Sequence, residues 1–190
     1  PHSPGLTMIG AAMLWVGWFG FNAGSALAAD GVASMAMTVT HISAAAGAIA
    51  WSVMELIRYR KASLVGAVTG MVAGLATITP ASGSVGPVGG LVLGLAGGVV
   101  CYMVTQLIKQ RFKIDDSLDV FAVHGVGGML GTMLTAVFVS VALGGNGLAE
   151  GMTIGSQLGV QALGIVIVAI WSGVLTAIIV MVLKMFLTFR

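Results

Sequence analysis

The sequence predicts an all-α, polytopic membrane helix bundle. Of its 190 residues, 58% are hydrophobic and only 7% are charged, whereas about a quarter of the residues in soluble domains are charged. The mean hydropathy of +1.07 indicates the same class. Polar or Gly/Pro-rich breaks, which suit turns at a membrane surface, divide the chain into six apolar runs. These six predicted transmembrane helices span roughly residues 6–29, 32–57, 63–79, 85–108, 118–143 and 154–187 of a single membrane domain, 1–190.

The first run carries an aromatic and hydroxyl series on one predicted helix face. Trp18, Phe21 and Ser25 stand at positions i, i+3 and i+7, which lie on the same side of an α-helix. A hydroxyl above aromatic rings can receive a small cation through hydrogen bonding and ring electrostatics. The alternative is that these aromatic side chains only pack in the core of the bundle.

Glycine recurs at every fourth position in the third and fourth runs. Small residues at this spacing let the backbones of two membrane helices approach closely. We therefore expect these two consecutive helices to pack backbone against backbone, although glycine is also common in membrane helices generally. The residues concerned are Gly66, Gly70 and Gly74 in the third run and Gly90, Gly94 and Gly98 in the fourth.

Two runs have lengths that do not match a bilayer. The third, 63–79, is short for a hydrocarbon core of about 30 Å and is expected to depend on its neighbours. The last, 154–187, would form a helix about 51 Å long at ~1.5 Å per residue. Such a helix must tilt strongly or project from the membrane.

The fifth run places one ionisable side chain, that of His124, among apolar and very small residues. A histidine at this depth is unfavourable unless it meets water, a partner or a substrate, so it is a candidate functional residue. In a dry lumen an imidazole is expected to stay neutral, able to donate and to accept hydrogen bonds. Small residues nearby leave room for another helix or a narrow pore: Gly125, Gly127, Gly128 and Gly131.

The basic residues predict the orientation of the bundle. The side of the membrane that holds the second and fourth connections and the end of the chain contains all of them, whereas the other side carries Asp30 and Glu150. The positive-inside rule makes the basic side cytoplasmic, with both ends of this chain inside. The basic residues are Arg58, Arg60, Lys61, Lys109, Arg111, Lys113, Lys184 and Arg190.

Three segments together resemble the ammonium transporter (Amt/Mep/Rh) family. They are residues 17–25 (GWFGFNAGS), 78–81 (ITPA) and 115–128 (DDSLDVFAVHGVGG), in the order and spacing of that family. Members have eleven spans, of which one to five and six to ten form inverted repeats. The chain resembles spans six to eleven, the second repeat plus the long last helix. Because it begins with Pro1 rather than methionine, we expect its numbering to start inside a longer natural protein.

The resemblance implies roles for five residues that match the family's motifs. His124 resembles one of two pore histidines that share a hydrogen bond midway through the membrane. Phe21 resembles one of two stacked phenylalanines that gate the outer mouth, and Ser25 resembles the hydroxyl of the external ammonium site. Trp18 and Thr79 resemble residues that line the pore.

The chain also contains residues whose roles the resemblance leaves open. Asp119 matches the acid at the start of the histidine-bearing helix, where its charge suits the helix dipole; capping and a role in conduction remain alternatives. His41 is not the second pore histidine, which belongs to spans absent here, and is interpreted as a packing or interface residue. Ala122 stands where many members carry glycine.

The resemblance implies transport of ammonium or ammonia across the cell membrane, with methylammonium as an analogue. It also implies a homotrimer, a cytoplasmic PII-type regulatory protein and no cofactor. The alternative is an ammonium sensor or signalling scaffold of the same fold with little conduction. The sequence contains no nucleophile, metal cluster or phosphate loop that would indicate an enzyme. Its scattered basic residues form no patch for nucleic acid.

Overall fold

The structure, a computed structural model, describes residues 2–187, and these form six α-helices. The all-α membrane bundle that the sequence predicts is confirmed. Two of the helices are extended by π-helical turns, Leu107–Phe112 after α4 and Phe121–Gly125 before α5, and a 3-10 turn at Val141–Leu143 follows α5. The helices are α1 Pro4–Gly24, α2 Gly31–Tyr59, α3 Leu64–Ile78, α4 Pro87–Gln106, α5 Val126–Phe138 and α6 Ile154–Lys184.

Polar residues in or next to the predicted breaks cap the N-termini of three helices. The carboxylate of Asp30 accepts hydrogen bonds from the first backbone N–H groups of α2, and the hydroxyl of Ser63 accepts one at the start of α3. Thr153 and Ser156 bond reciprocally at the start of α6, which forms a capping box. Each bond satisfies a backbone donor that has no partner inside its own helix.

The centre of the bundle is α2, which lies between α3 and α4. A Cβ added at Gly74 of α3 or at Gly94 of α4 would overlap the backbone of Ser43 on α2. The Ser43 hydroxyl also donates to the Gly74 carbonyl at 2.8 Å across this contact. The helices α3 and α4 do contact each other, as expected. The glycines of both repeats, however, lie against α2 rather than against one another, so the close backbone approach is with α2.

The helix that follows the histidine packs on α3 and α4 through its glycines. An added Cβ at Gly131 would overlap the backbone carbonyl of Thr77, and one at Gly127 would lie 3.1 Å from the Thr77 hydroxyl and 3.3 Å from the Cys101 sulfur. The helical part of this run ends at Phe138, earlier than the predicted 143. These contacts fix which side of α5 faces the bundle.

The last helix, α6, contributes no buried residue within the described part of the chain and packs mainly on α5. It ends at Lys184 and is therefore about 46 Å long at ~1.5 Å per residue, slightly shorter than the apolar run suggested. Arg190, one of the basic residues used to predict orientation, lies outside the described residues.

The connections between helices gather at two opposite ends of the bundle. At one end Arg58 donates to Gln110 at 3.2 Å and Tyr59 to Gln106 at 3.0 Å, which joins the end of α2 to the end of α4. At the other end the amide of Asn146 donates to the carbonyl of Gly83 at 2.8 Å.

The chain is thus a multi-pass membrane protein. Within residues 2–187 five segments are long and apolar enough to cross a bilayer: Pro4–Gly24, Gly31–Tyr59, Pro87–Phe112, Phe121–Phe138 and Ile154–Lys184.

Candidate functional site

Three of the predicted site residues, from three different helices, meet at one cleft. The indole nitrogen of Trp18 on α1 donates to the Thr79 hydroxyl at the end of α3, at 2.8 Å. The rings of Trp18 and His124 lie nearly parallel, with an interplanar angle of 16° and centroids 6.4 Å apart. Together with Gly128 and Thr132 of α5 they line a cleft of about 300 Å³. The structure therefore brings together an indole, a hydroxyl and an imidazole at one apolar surface.

The position of the Trp18 ring is set by Thr79. The Thr79 hydroxyl accepts from the indole and donates in turn to the Leu75 carbonyl at 2.7 Å. Pro80 follows at once and has no backbone N–H to donate to the helix, which helps to end α3 here. The Thr79 hydroxyl thus lies at the end of α3, where its proton is donated to a backbone carbonyl and its oxygen accepts the hydrogen bond from the indole.

Phe21 lies one turn beyond Trp18 on α1. Its ring meets the Trp18 indole edge to face, with centroids 6.0 Å apart and an interplanar angle of 72°, a favoured arrangement for two aromatic rings. The side chain is 62% exposed. Phe21 therefore has room to change rotamer while Trp18 is held.

Ser25 caps the C-terminus of α1, one turn beyond Phe21. Its hydroxyl donates to the Phe21 carbonyl, so the proton is used inside the helix while the oxygen keeps acceptor capacity. The side chain is exposed. An exposed acceptor oxygen of this kind can bind a small hydrogen-bonding cation. Trp18, Phe21 and Ser25 thus follow each other along the end of α1.

His124 lies in the π-helical turn Phe121–Gly125. Single π-helical turns inside helices occur frequently at functional sites. The His124 ring lines both the smaller cleft and a larger apolar one of about 1090 Å³ between α5 and α6. In the described part of the chain no atom lies within 4 Å of a Cβ built on Gly128, one turn further on. His124 thus borders open space between α5 and α6.

Two residues of α5 complete this face: Gly128, which the sequence analysis named among the small residues beside His124, and Thr132, which it did not name. They stand four and eight residues after His124, the spacing that keeps side chains on one side of a helix, and both line the two clefts. That spacing could have found Thr132. Of the four glycines expected to thin this helix, Gly127 and Gly131 contact neighbouring helices, whereas Gly128 forms part of the cleft wall.

The acid that caps the histidine-bearing helix is Asp116. Its carboxylate oxygens accept hydrogen bonds from the backbone N–H groups of Val120 at 2.8 Å and Phe121 at 3.0 Å. For Asp119, capping and a role in conduction were the two alternatives, and within the described residues its carboxylate forms an ion pair with Lys109 at 2.7 Å. The pair of acidic residues at 115 and 116, directly before the helix, was the signal for the cap.

His41 lies away from the cleft, on α2. Its ring is 5.1 Å from the ring of Trp15 and 6.0 Å from that of Phe19, measured between centroids. The side chain is exposed on the surface of the described helices. The structure therefore does not place His41 with His124, and the packing-or-interface interpretation of His41 stays a prediction.

Comparison with known proteins was consistent across sequence and structure. A profile described as Ammonium Transporter Family matches residues 1–190. An ammonium transporter of Aquifex aeolicus is 42% identical over 185 residues, which are 97% of this chain and 43% of that protein. A structure of a Sensor Amt Protein superposes with a TM-score of 0.90 and 33% identity, over 97% of this chain and 45% of the other. The crystal structure of Saccharomyces cerevisiae Mep2 superposes with a TM-score of 0.85 and 33% identity, over 98% and 44%.

The chain spans less than half the length of each of these relatives. The relationship nevertheless extends over nearly all of the 190 residues. The matched family is one of transport proteins rather than enzymes, as the sequence analysis expected. The chain belongs to the ammonium transporter family.

Proposed function

We propose that this chain forms one side of a route along which ammonia crosses the membrane. The observation that carries the proposal is the convergence of Trp18, Thr79 and His124 on one cleft. Membership of the ammonium transporter family supports ammonium as the substrate. The 190 residues leave the cleft open beside α5 and α6, so we do not expect them to enclose a route alone.

The energetics favour neutral ammonia as the species that crosses. Moving an ion from water into a low-dielectric lumen costs ~20 kcal/mol in the idealised case and several kcal/mol after relaxation. Ammonia avoids this cost because it leaves its proton behind. Potassium has no proton to lose, so the same dry passage excludes it.

The proposed steps of transport follow the order in which the residues lie along α1. Ammonium is recruited at the exposed oxygen of Ser25 and gives its proton to the external water before or at Phe21, whose exposed ring has room to open and close the entrance. Ammonia then passes Trp18 and Thr79 to His124. A neutral imidazole can donate one hydrogen bond and accept another, which suits a small neutral amine.

The proposal includes the orientation of the protein in the membrane, its oligomeric state and its regulatory partner. The basic end of the bundle, where the α2–α3 and α4–α5 connections lie, faces the cytoplasm of a cell membrane, and both ends of this chain are inside. The protein acts as a homotrimer, and a PII-type regulatory protein contacts the basic connections. These assignments follow from the family resemblance and from the distribution of charge.

A sensor is the second candidate function. It is favoured by the superposition on a structure whose name is Sensor Amt Protein, with a TM-score of 0.90. In this case the same cleft would bind ammonium and change a neighbouring contact with little net conduction. Residues lining the cleft would then govern binding rather than flux.

The test compares two histidines on the two sides of the bundle. His124→Ala in the full-length natural protein, reconstituted in vesicles, is expected to lower methylammonium flux at least about tenfold with unchanged thermal stability. His41→Ala, the matched control at the outer surface, is expected to keep wild-type flux. Equal flux in both variants would overturn the proposal. Binding without flux in the wild type would favour the sensor.

A further inference from the structure

An ion pair links the π-helical turn Leu107–Phe112, which extends α4, to the start of the helix that carries His124. Lys109 Nζ lies 2.7 Å from Asp119 Oδ1, and this is the only ion pair within residues 2–187. Asp119 stands two residues before the second π-helical turn, Phe121–Gly125. Lys109 is therefore linked to the start of the histidine-bearing helix, although it is not part of the cleft.

The acidic partner occupies an unusual backbone position. Asp119 has φ = +57°, in the left-handed region that Asp and Asn tolerate better than most residues. Its side chain is only 16% exposed, against 40% for Lys109. Partial burial lowers the local dielectric and strengthens the pair relative to one that is fully exposed. The ion pair thus holds a strained residue in one conformation.

The same residue begins the helix. The Asp119 carbonyl accepts from the N–H of Val123 at 2.8 Å, and His124 follows directly. The side chains of Ala122 and Val123 are buried, which holds one side of this turn against the bundle, whereas Val120 and Phe121 are exposed. Apolar contacts are non-directional, so they hold the turn against its neighbours without fixing its position along the helix axis. The ion pair is a directional contact to the end of α4 and is much shorter than the other polar contact of this turn with α4, from the Cys101 thiol to the Val123 carbonyl at 3.9 Å.

We propose that Lys109 is a positioning residue that acts through Asp119 to set where the His124 ring stands relative to Trp18. The inference rests on the proposed function of His124. Asp116 satisfies the first backbone donors of the helix, and the Lys109–Asp119 pair anchors the turn to α4. Loss of the pair lets the π-helical turn shift and disturbs the near-parallel arrangement of the two rings.

The experiment breaks and restores the pair in the full-length natural protein reconstituted in vesicles. Lys109→Met removes the charge and keeps the apolar stem, and Lys109→Arg keeps the charge. Asp119→Asn is chosen because asparagine tolerates the positive φ. Arg111→Met is the matched control, since Arg111 is an exposed residue of the same turn and forms no ion pair within the described residues.

We expect Lys109→Met and Asp119→Asn each to lower the maximal rate of methylammonium uptake about threefold to tenfold, the scale of one partly buried ion pair. The KM should stay within about twofold, because recruitment at Ser25 lies at the opposite end of the bundle. The double variant should be no slower than the single ones if the two residues act as a pair. Lys109→Arg, which keeps the charge, and Arg111→Met should both retain the wild-type uptake rate.

A second readout does not depend on transport. The ring ¹⁵N shifts of His124, identified by their loss in His124→Ala, should move in Lys109→Met and not in Arg111→Met. Absence of flux in the wild type would contradict the proposed function, while these shifts would still test the positioning role. Unchanged shifts, or uptake rates in Lys109→Met equal to those in Arg111→Met, would overturn the inference.

Discussion

The packed centre of the bundle and the open face of the histidine-bearing helix use the same small residue in opposite ways. Where α2 meets α3 and α4, glycine lets one backbone lie against another, as at Gly74 and Gly94 beside Ser43. At Gly128 a Cβ would meet open space among the described atoms, in a cleft shared with His124. Glycine at the centre thus serves close packing, whereas at the cleft it leaves the space beside His124 open.

Because the two kinds of glycine have different surroundings, substitutions at packed glycines are expected to affect folding, whereas a substitution at Gly128 is expected to affect transport. A bulky side chain at a packed glycine must displace backbone, which the centre of a bundle cannot accommodate. The same side chain at the open glycine displaces only the contents of the cleft. Three substitutions test the comparison, from the largest expected effect to the smallest.

Gly74→Leu is expected to prevent accumulation of folded protein. The new side chain would overlap the backbone of Ser43 and remove the hydrogen bond between the two residues, with a destabilisation of more than about 4 kcal/mol. The measurement is the yield of monodisperse protein and its thermal unfolding in detergent. Gly159→Leu on α6 is the control, since the described atoms leave that position open. A Gly74→Leu protein as stable as wild type would refute close packing at the centre.

Gly128→Leu is expected to fold normally and to lower flux at least about tenfold, because the leucine would fill much of a cleft of about 300 Å³. Methylammonium uptake in vesicles, normalised to the amount of folded protein, provides the measurement. Gly159→Leu again serves as the matched control, since it adds the same side chain outside both clefts. Full uptake by Gly128→Leu would show that the cleft is not on the route.

Thr79→Val is expected to lower flux about threefold to tenfold and to reduce stability without preventing folding. The substitution keeps the shape of the side chain but leaves the Trp18 indole without its partner, which costs about 1–3 kcal/mol. Thr69→Val is the matched control. The Thr69 hydroxyl makes the same kind of bond to its own helix, to the Val65 carbonyl at 2.8 Å, without an indole partner. Equal fluxes in the two variants would argue against a role for the Trp18–Thr79 bond.

The sequence predicted the membrane bundle and the central side chains of the site, because composition and short motifs are local properties. Trp18, Thr79 and His124 were selected from three separate segments, and the structure brings them together. The predicted starts of the second, third and sixth runs also lie within one residue of the helices that Asp30, Ser63 and Thr153 cap.

The remaining features depend on contacts that a single segment does not contain. A glycine repeat shows that one face of a helix is smooth but not which helix covers it, so the repeat alone does not identify α2 as the partner of Gly70 and Gly74. The cap at Asp116 and the ion pair of Asp119 depend on where Lys109 lies, and this is set by the turn at the end of α4. Sequence alone also does not separate Gly128, which borders the cleft, from Gly127 and Gly131, which contact neighbouring helices.

The most direct test of the account measures ammonia and potassium permeability in the same vesicles, reconstituted with the full-length natural protein. The account predicts that an ammonia gradient raises the internal pH several times faster than in protein-free vesicles, on the order of tenfold. Potassium entry, followed with an internal indicator, should stay at the protein-free rate, because a dry passage excludes an ion that cannot shed a proton. Ammonia entry no faster than in protein-free vesicles, or potassium entry alongside it, would contradict a route for neutral ammonia past Trp18, Thr79 and His124.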